Sequence, residues 1–415
     1  MSMKYFFRDQ STMSKFHIHP LGKYMDAYAK WLHDAGYSRN LGRTRLRLVA
    51  RLSPWLKRHH IAVADLSWEH IQKYLNMKAR KRRNPNRDDA SALRQFMNFL
   101  DHEGVIQTKK VIPIEQDPLE QLLCNYARYL ENERALSHGS IAIYRRHVSC
   151  FLIESFSNKA VDFSNLNSYG ITNYVRMRAV DGSKSTSKLM CTALRSFLKF
   201  ARYQGYIDTE LGASVPTVAN WRMASLPKAL PSGEVEKVLN SCNRETAIGR
   251  RDYAILLTLA RLGLRAGEVL SLRLDDIDWK NGTIMVRGKG STLSQMPLPA
   301  DVGEAIVLYL QNGRPNCSVR TMFLTGQAPN KGFATAAAIS NIVREAFARA
   351  GIEVGKGAAH KFRHTLATNL LKKGASLPDI AELLRHQTLD CTTIYAKVDL
   401  SSLQSLVVAW PGGAQ

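Results

Sequence analysis

Apolar residues recur at three- and four-residue steps through most of the first 210 positions, which is the signature of amphipathic helices. The pattern then repeats. The run Ala92 to Phe99 (ALRQFMNF), followed by Gly104-Val105-Ile106, is matched about a hundred residues later by Ala193 to Phe200 (ALRSFLKF) and Gly205-Tyr206-Ile207. Upstream, Tyr28-Ala29-Lys30-Trp31-Leu32 pairs with Tyr126-Ala127-Arg128-Tyr129-Leu130, and Ile71-Gln72-Lys73-Tyr74 with Ile171-Thr172-Asn173-Tyr174. Self-similarity at a fixed period indicates a duplicated structural unit, so each copy is expected to be a helical unit of the same build.

The helical pattern is interrupted twice. Val111 to Pro118 carries Pro113 and Pro118, and the stretch from Val215 to Pro231 carries Pro216, Pro227 and Pro231. Proline removes a backbone donor and clashes with the preceding turn, so both stretches read as linkers. They predict domains over residues 1–112, 116–212 and 230–415. In the last of these, Thr283 to Val286 and Gln295 to Leu298 flank a glycine-rich turn and read as a hairpin. A helix opening at His360 is expected to end near Gly374, and Ser376-Leu377-Pro378-Asp379 matches a capping box with proline in the first turn. Thr388 is expected to cap a last short helix that carries Tyr395.

Composition narrows the partners. Lys and Arg number 58 against 35 Asp and Glu, a formal net charge of +23. That excess points first to nucleic acid, whose phosphates attract a basic protein regardless of base sequence. No apolar run approaches the ~20 residues of a membrane span. The first nine residues lack the apolar core of a signal peptide, so a cytoplasmic, nucleoid-associated protein is expected. The six cysteines form no C-x-x-C pair and read as reduced, mostly buried thiols; neither a metal site nor a nucleotide-binding loop is predicted. The densest basic run holds Lys78, Arg80, Lys81, Arg82, Arg83 and Arg87. Alone, such a run fits a solvated loop as well as a phosphate contact.

The C-terminal half carries five basic residues in fixed order before a tyrosine: Arg265, Lys289, His360, Arg363, His386 and then Tyr395. Arg265 lies in Gly-Leu-Arg-Ala-Gly-Glu, Lys289 in the turn Arg287-Gly288-Lys289-Gly290, and His360 and Arg363 in His-Lys-Phe-Arg. With these six positions the chain resembles the tyrosine recombinases, the phage-integrase family, over roughly residues 116–400. The resemblance implies a mainly α fold with a small antiparallel β-sheet in the catalytic domain. It also implies that each N-terminal copy is a core-binding bundle, and that DNA strands are cut and rejoined through a 3′-phosphotyrosyl intermediate without a cofactor.

It further implies roles. Tyr395 is the nucleophile, Arg265 and Arg363 clamp the phosphate oxygens, Lys289 is the acid for the leaving 5′-oxygen, and His360 and His386 bond the phosphate or exchange the nucleophile's proton. Each role is chemically sensible. A phenol with an ordinary pKa of ~10 needs nearby cations to attack, and a planar guanidinium binds phosphate oxygens in a fork. Glu268, three residues after Arg265, is expected to hold that arginine in place. Beside such a domain the basic run at 78–87 reads as a phosphate contact. The expected partner is double-stranded DNA with specific recombination sites, bound by a homotetramer that can be monomeric off DNA, with a mobile element as the setting. A relaxing type IB topoisomerase and a catalytically silent DNA-binding regulator are the alternatives. One position departs from the family: Arg385 stands where glycine usually precedes the second histidine.

Overall fold

The computed structural model describes residues 2–17, 20–81, 87–106, 118–156, 162–218, 229–288, 292–355, 357–386, 388 and 391–398. They form two compact units, one of residues 1–108 with 225–415 and one of residues 109–224. The fold is mainly helical with one small antiparallel sheet of three strands, as the sequence predicts.

The N-terminal part of the first unit holds α1 (Ser2–Phe6), α2 (Gln10–Phe16), α3 (Met25–Asp34), α4 (Arg39–Arg58), α5 (Trp68–Lys81) and α6 (Arg87–His102). The second unit holds α7 (Pro118–Asn132), α8 (His138–Phe156), α9 (Ser168–Asp181) and α10 (Lys184–Tyr203). From α3 to α6 and from α7 to α10 the order is the same, with a 3₁₀ turn (Val63–Asp65, Phe163–Asn165) before the third helix of each set. The cores match ring for ring. Tyr28 and Tyr126 are fully buried. Tyr28 meets Phe96 edge-on at 4.8 Å and Phe99 at 5.2 Å; Tyr126 meets Phe197 edge-on at 5.3 Å and Phe200 at 5.3 Å. Gly104 and Gly205 follow the last helix of each set with φ of +67° and +73°, a conformation that favours glycine. In the first unit the N-terminal bundle also meets the C-terminal part, where the Asn330 N–H donates to the Ala35 carbonyl at 2.9 Å.

The C-terminal part of the first unit contains α11 (Glu234–Asn240), α12 (Ala247–Leu262) and α13 (Ala266–Ser271), then the sheet, then α14 (Ala300–Asn312), α15 (Ala336–Arg349), α16 (Ala358–Lys372) and α17 (Leu377–Leu383). Strands β1 (Ile277–Asp278), β2 (Thr283–Arg287) and β3 (Leu293–Pro297) lie in sequence order, with Thr283 opposite Pro297 and Arg287 opposite Leu293. The observed hairpin strands are thus longer toward the turn than the apolar residues alone suggest, because backbone pairing continues to Arg287 and Leu293. Helices α12, α14, α15 and α16 enclose one apolar core that includes Ile255, Ile306, Phe347 and Phe362.

Local sequence fixes the ends of the elements that matter for the site. α12 stops at Gly263, φ +58°, where an added Cβ would meet the Leu384 and Leu366 side chains at 2.8 and 3.0 Å. α16 ends just before Gly374, φ +87°. At α17, Ser376 Oγ accepts from the Asp379 N–H while Asp379 Oδ2 accepts from the Ser376 N–H, a reciprocal cap. Tyr395 sits on a 3₁₀ helix, Thr393–Val398, and its N–H donates to the Thr392 carbonyl three residues back. The Cys391 N–H likewise donates to the Thr388 carbonyl.

One expectation is corrected. Of the six cysteines, all free, Cys191 and Cys242 are buried, whereas Cys150 and Cys391 are exposed and Cys124 and Cys317 lie between. On helices the phase decides: Cys150 falls on the exposed side of α8 and Cys191 on the buried side of α10. Among the described residues no helix is long and apolar enough to cross a membrane.

Candidate active site

Five of the six residues singled out by order come together around the ends of α12, α16 and α17. Arg265 precedes the first residue of α13. Glu268, one turn into that helix and 4% exposed, accepts the Arg265 backbone N–H on Oε2 at 2.9 Å and the Arg265 guanidinium on Oε1 at 2.7 Å. The three-residue spacing therefore does two things: it caps the helix and fixes the arginine side chain. Arg265 keeps 37% of its side chain open to solvent. A second guanidinium reaches the same carboxylate, with Arg385 Nη2 donating to Oε2 at 2.9 Å. Burial alone would raise the Glu268 pKa, but the Arg265 N–H, Arg385 and the Arg265 side chain outweigh it and hold the carboxyl below its usual range.

Arg363 is held differently. It lies on the first turns of α16, is 3% exposed, and donates from Nη1 to the Gly263 carbonyl at 2.6 Å and from Nη2 to the Leu384 carbonyl. Those carbonyls belong to the C-terminal ends of α12 and α17, which lack intrahelical partners and carry the negative end of the helix dipole. Burial, then the charges of Arg265 and Arg385, bring the Arg363 pKa down to about 10, so it remains a cation at neutral pH.

The nucleophile expected at Tyr395 is 1% exposed, and its hydroxyl lies 2.9 Å from His364 Nδ1. Burial raises the phenol above its ordinary value, while the charges of Arg363 and Arg265 act the other way. His364 was not singled out by sequence order. The signal that could have found it is its position one residue after Arg363 and four after His360, the spacing of one helix face. The His360 and His364 rings are 6.4 Å apart. His386 Nδ1 lies 2.6 Å from Thr392 Oγ1, which ties that histidine to the segment bearing Tyr395. Partial burial and the neighbouring arginines lower all three histidines, His386 to about 4, so all are neutral near pH 7.

Not every predicted residue joins this group. Lys289 lies outside the described residues, although the strands that flank it are in place. In the basic run, Lys78 pairs with Asp89 at 2.5 Å, both side chains largely covered, which closes the corner between α5 and α6. The side chains of Arg80, Lys81 and Arg87, together with Arg82 and Arg83, lie outside the described residues.

The geometry has counterparts elsewhere. Residues 228–401 match the model of the phage integrase family, and residues 123–205 match the phage integrase N-terminal SAM-like domain. The integrase/recombinase y4rA of Sinorhizobium fredii is 40% identical over 413 residues, covering 100% of both chains. Tyrosine recombinase XerC of Oceanobacillus iheyensis is 30% identical over 69% of this chain and 94% of its own. Among solved structures, XerH site-specific recombinase bound to a palindromic difH substrate superposes with a TM-score of 0.57 at 21% identity, over 72% of this chain and 98% of that one. A λ integrase dimer bound to a core site gives 0.52 at 16%, over 66% and 94%.

Proposed function

This chain belongs to the phage integrase family, it is a tyrosine recombinase that breaks and rejoins DNA strands, and from that premise we propose which residues carry the reaction. Tyr395 Oη attacks the scissile phosphorus, the P–O5′ bond breaks, and the enzyme is joined to the 3′-phosphate. The phenol's proton passes to His364 Nδ1, and the 5′-oxygen takes a proton from Lys289, the acid that the family pattern assigns. Arg265 and Arg363 stabilise the charge on the non-bridging oxygens as the phosphorus becomes five-coordinate. His360 and His386, neutral at pH 7, bond the same oxygens. Attack by the 5′-hydroxyl of a partner strand reverses every step, since the phosphotyrosyl bond conserves the energy of the broken linkage.

The observation that carries this reading is the Tyr395 hydroxyl at 2.9 Å from a neutral imidazole, one residue along α16 from the buried guanidinium of Arg363. The hydroxyl is also covered in this state, so binding of DNA must uncover it before a phosphate can approach. Because one such site cuts one strand, exchange between two duplexes needs four protomers. A λ integrase tetramer bound to a Holliday junction has this fold, and a tetramer closed by cyclic symmetry is the assembly proposed here. The N-terminal bundle, residues 1–112, adds a DNA grip beside the core site, and the enzyme acts on DNA at the nucleoid for a mobile element.

The test is a nicked suicide substrate resolved on a denaturing gel. The parent should accumulate a covalent protein–DNA adduct, and Tyr395→Phe should bind DNA yet form none. Adducts that persist in the variant would remove Tyr395 from the mechanism.

A further inference from the structure

Arg385 occupies a backbone position that favours glycine. Its φ is +56°, in the left-handed region that costs an L side chain. The long side chain is 10% exposed. It folds inward to donate from Nη1 to the Leu383 carbonyl at 3.0 Å and from Nη2 to Glu268 Oε2 at 2.9 Å, with the Met296 sulfur also against Nη1. Among the described residues its Nε is buried with no partner. A residue that strains the backbone and leaves a donor unsatisfied contributes something other than packing. What it supplies is a charge at one carboxylate.

We infer that Arg385 is a positioning residue for Arg265: by taking one oxygen of Glu268 it leaves the Arg265 guanidinium, held on the other oxygen, with its charge uncompensated for a phosphate. The inference rests on the proposed reading that Arg265 grips the scissile phosphate. The charge count makes the case. With glycine at 385, Glu268 and Arg265 form a one-to-one pair of net charge zero. With Arg385 present, two guanidinium groups share one carboxylate and the set carries +1. Glu268 and Arg385 are both shielded from solvent, so salt screens this arrangement little. The open side of Arg265 is where that excess is presented. Arg385 itself does not reach the substrate, because Glu268, Leu383 and Met296 already enclose its guanidinium.

The test exploits the backbone. Arg385→Gly relieves the left-handed conformation but removes the bonds to Glu268 and the Leu383 carbonyl, so a role in folding alone predicts a variant that melts lower than the parent yet cleaves as fast. The inference predicts that the full-length variant binds DNA within about threefold, yet forms the suicide-substrate adduct about tenfold more slowly under single-turnover conditions. That is the scale of losing one charge-assisted interaction in the transition state. Arg385→Lys should recover part of the rate, since the charge returns without the planar fork. Adding Glu268→Gln to Arg385→Gly should also recover rate, because a neutral amide no longer offsets Arg265. Unchanged cleavage in Arg385→Gly would overturn the inference, as would a loss of rate that neither second change relieves. Arg265→Lys run beside them separates the two levels. If it cleaves normally, the reading of Arg265 fails; if it is defective while Arg385→Gly is not, only the role of Arg385 fails.

Discussion

Arg265 and Arg363 are assigned the same task, but the fold holds them by opposite means. Arg265 faces solvent on one side and is anchored through a carboxylate three residues away. Arg363 is enclosed and anchored through backbone carbonyls at the ends of two other helices. The first arrangement orients a side chain with a local partner and leaves the core untouched. The second makes the arginine part of the core, because its guanidinium satisfies carbonyls that would otherwise be buried without donors. The difference teaches that function and stability separate at Arg265 and do not separate at Arg363.

The largest effect should follow from breaking the enclosed anchor. Arg363→Ala leaves the Gly263 and Leu384 carbonyls without their donors and opens a cavity where α12, α16 and α17 meet. Melting should show a loss of about 2–5 kcal/mol, together with no detectable adduct. Equal melting of variant and parent would mean that Arg363 is not part of the core. Arg265→Lys tests the other anchor: it keeps the charge and loses the fork. Adduct formation should fall by roughly two orders of magnitude with the melting temperature unmoved. A matching loss of stability would collapse the distinction between the two arginines.

A smaller change probes the link between the enclosed arginine and the nucleophile. His364→Phe keeps a ring beside Tyr395 but removes the acceptor at 2.9 Å. Adduct formation should fall about ten- to a hundredfold with DNA binding retained, at or below the lower end of the usual range for losing a proton acceptor, because His360 and His386 stand close by. A wild-type rate would return the acceptor role to His360 or His386.

The same contrast explains what could be read in the sequence. The Arg265–Glu268 pair was legible because it is local, three residues apart at a helix start, where spacing predicts contact. The duplicated bundles were legible for a similar reason, since Tyr28 with Phe96 and Phe99, and Tyr126 with Phe197 and Phe200, repeat as residue types in order. Arg363 was legible as a cation but not as a core residue, because Gly263 lies 100 residues away. His364 escaped notice because its partner is 31 residues distant; the four-residue step from His360 marks a shared helix face but not the hydroxyl that face meets. Arg385 stood out by type alone; its meaning needed the +56° backbone and a carboxylate 117 residues away. Lys78 was expected in a phosphate contact; its pairing with Asp89, 11 residues on, lies outside the three- and four-residue steps from which a helix contact can be read.

The mildest prediction uses pH to separate the two anchors by the protons they exclude. Around Arg363 and Tyr395, the histidines are held neutral in the folded state, His386 down to about 4 against an ordinary 6.5. Between those values the unfolded chain binds protons that the folded chain refuses, so stability must fall as pH drops from 6.5 toward about 4. Each group can contribute a slope of at most about 1.4 kcal/mol per pH unit. Around Arg265 the sign is the same but the window is lower. The Glu268 carboxyl is held below its ordinary 4.5, so its stabilisation is complete above that value and is lost as pH falls through the depressed one. Melting curves from pH 7.5 to 3.5 should therefore show an upper decline from the histidines and a lower one from Glu268. His386→Asn, which can still bond Thr392, should flatten the upper decline and leave the lower one in place. Glu268→Gln should do the reverse. An upper decline unchanged by His386→Asn would mean that this histidine accepts protons as freely folded as unfolded, and that the arginines around it do not keep it neutral.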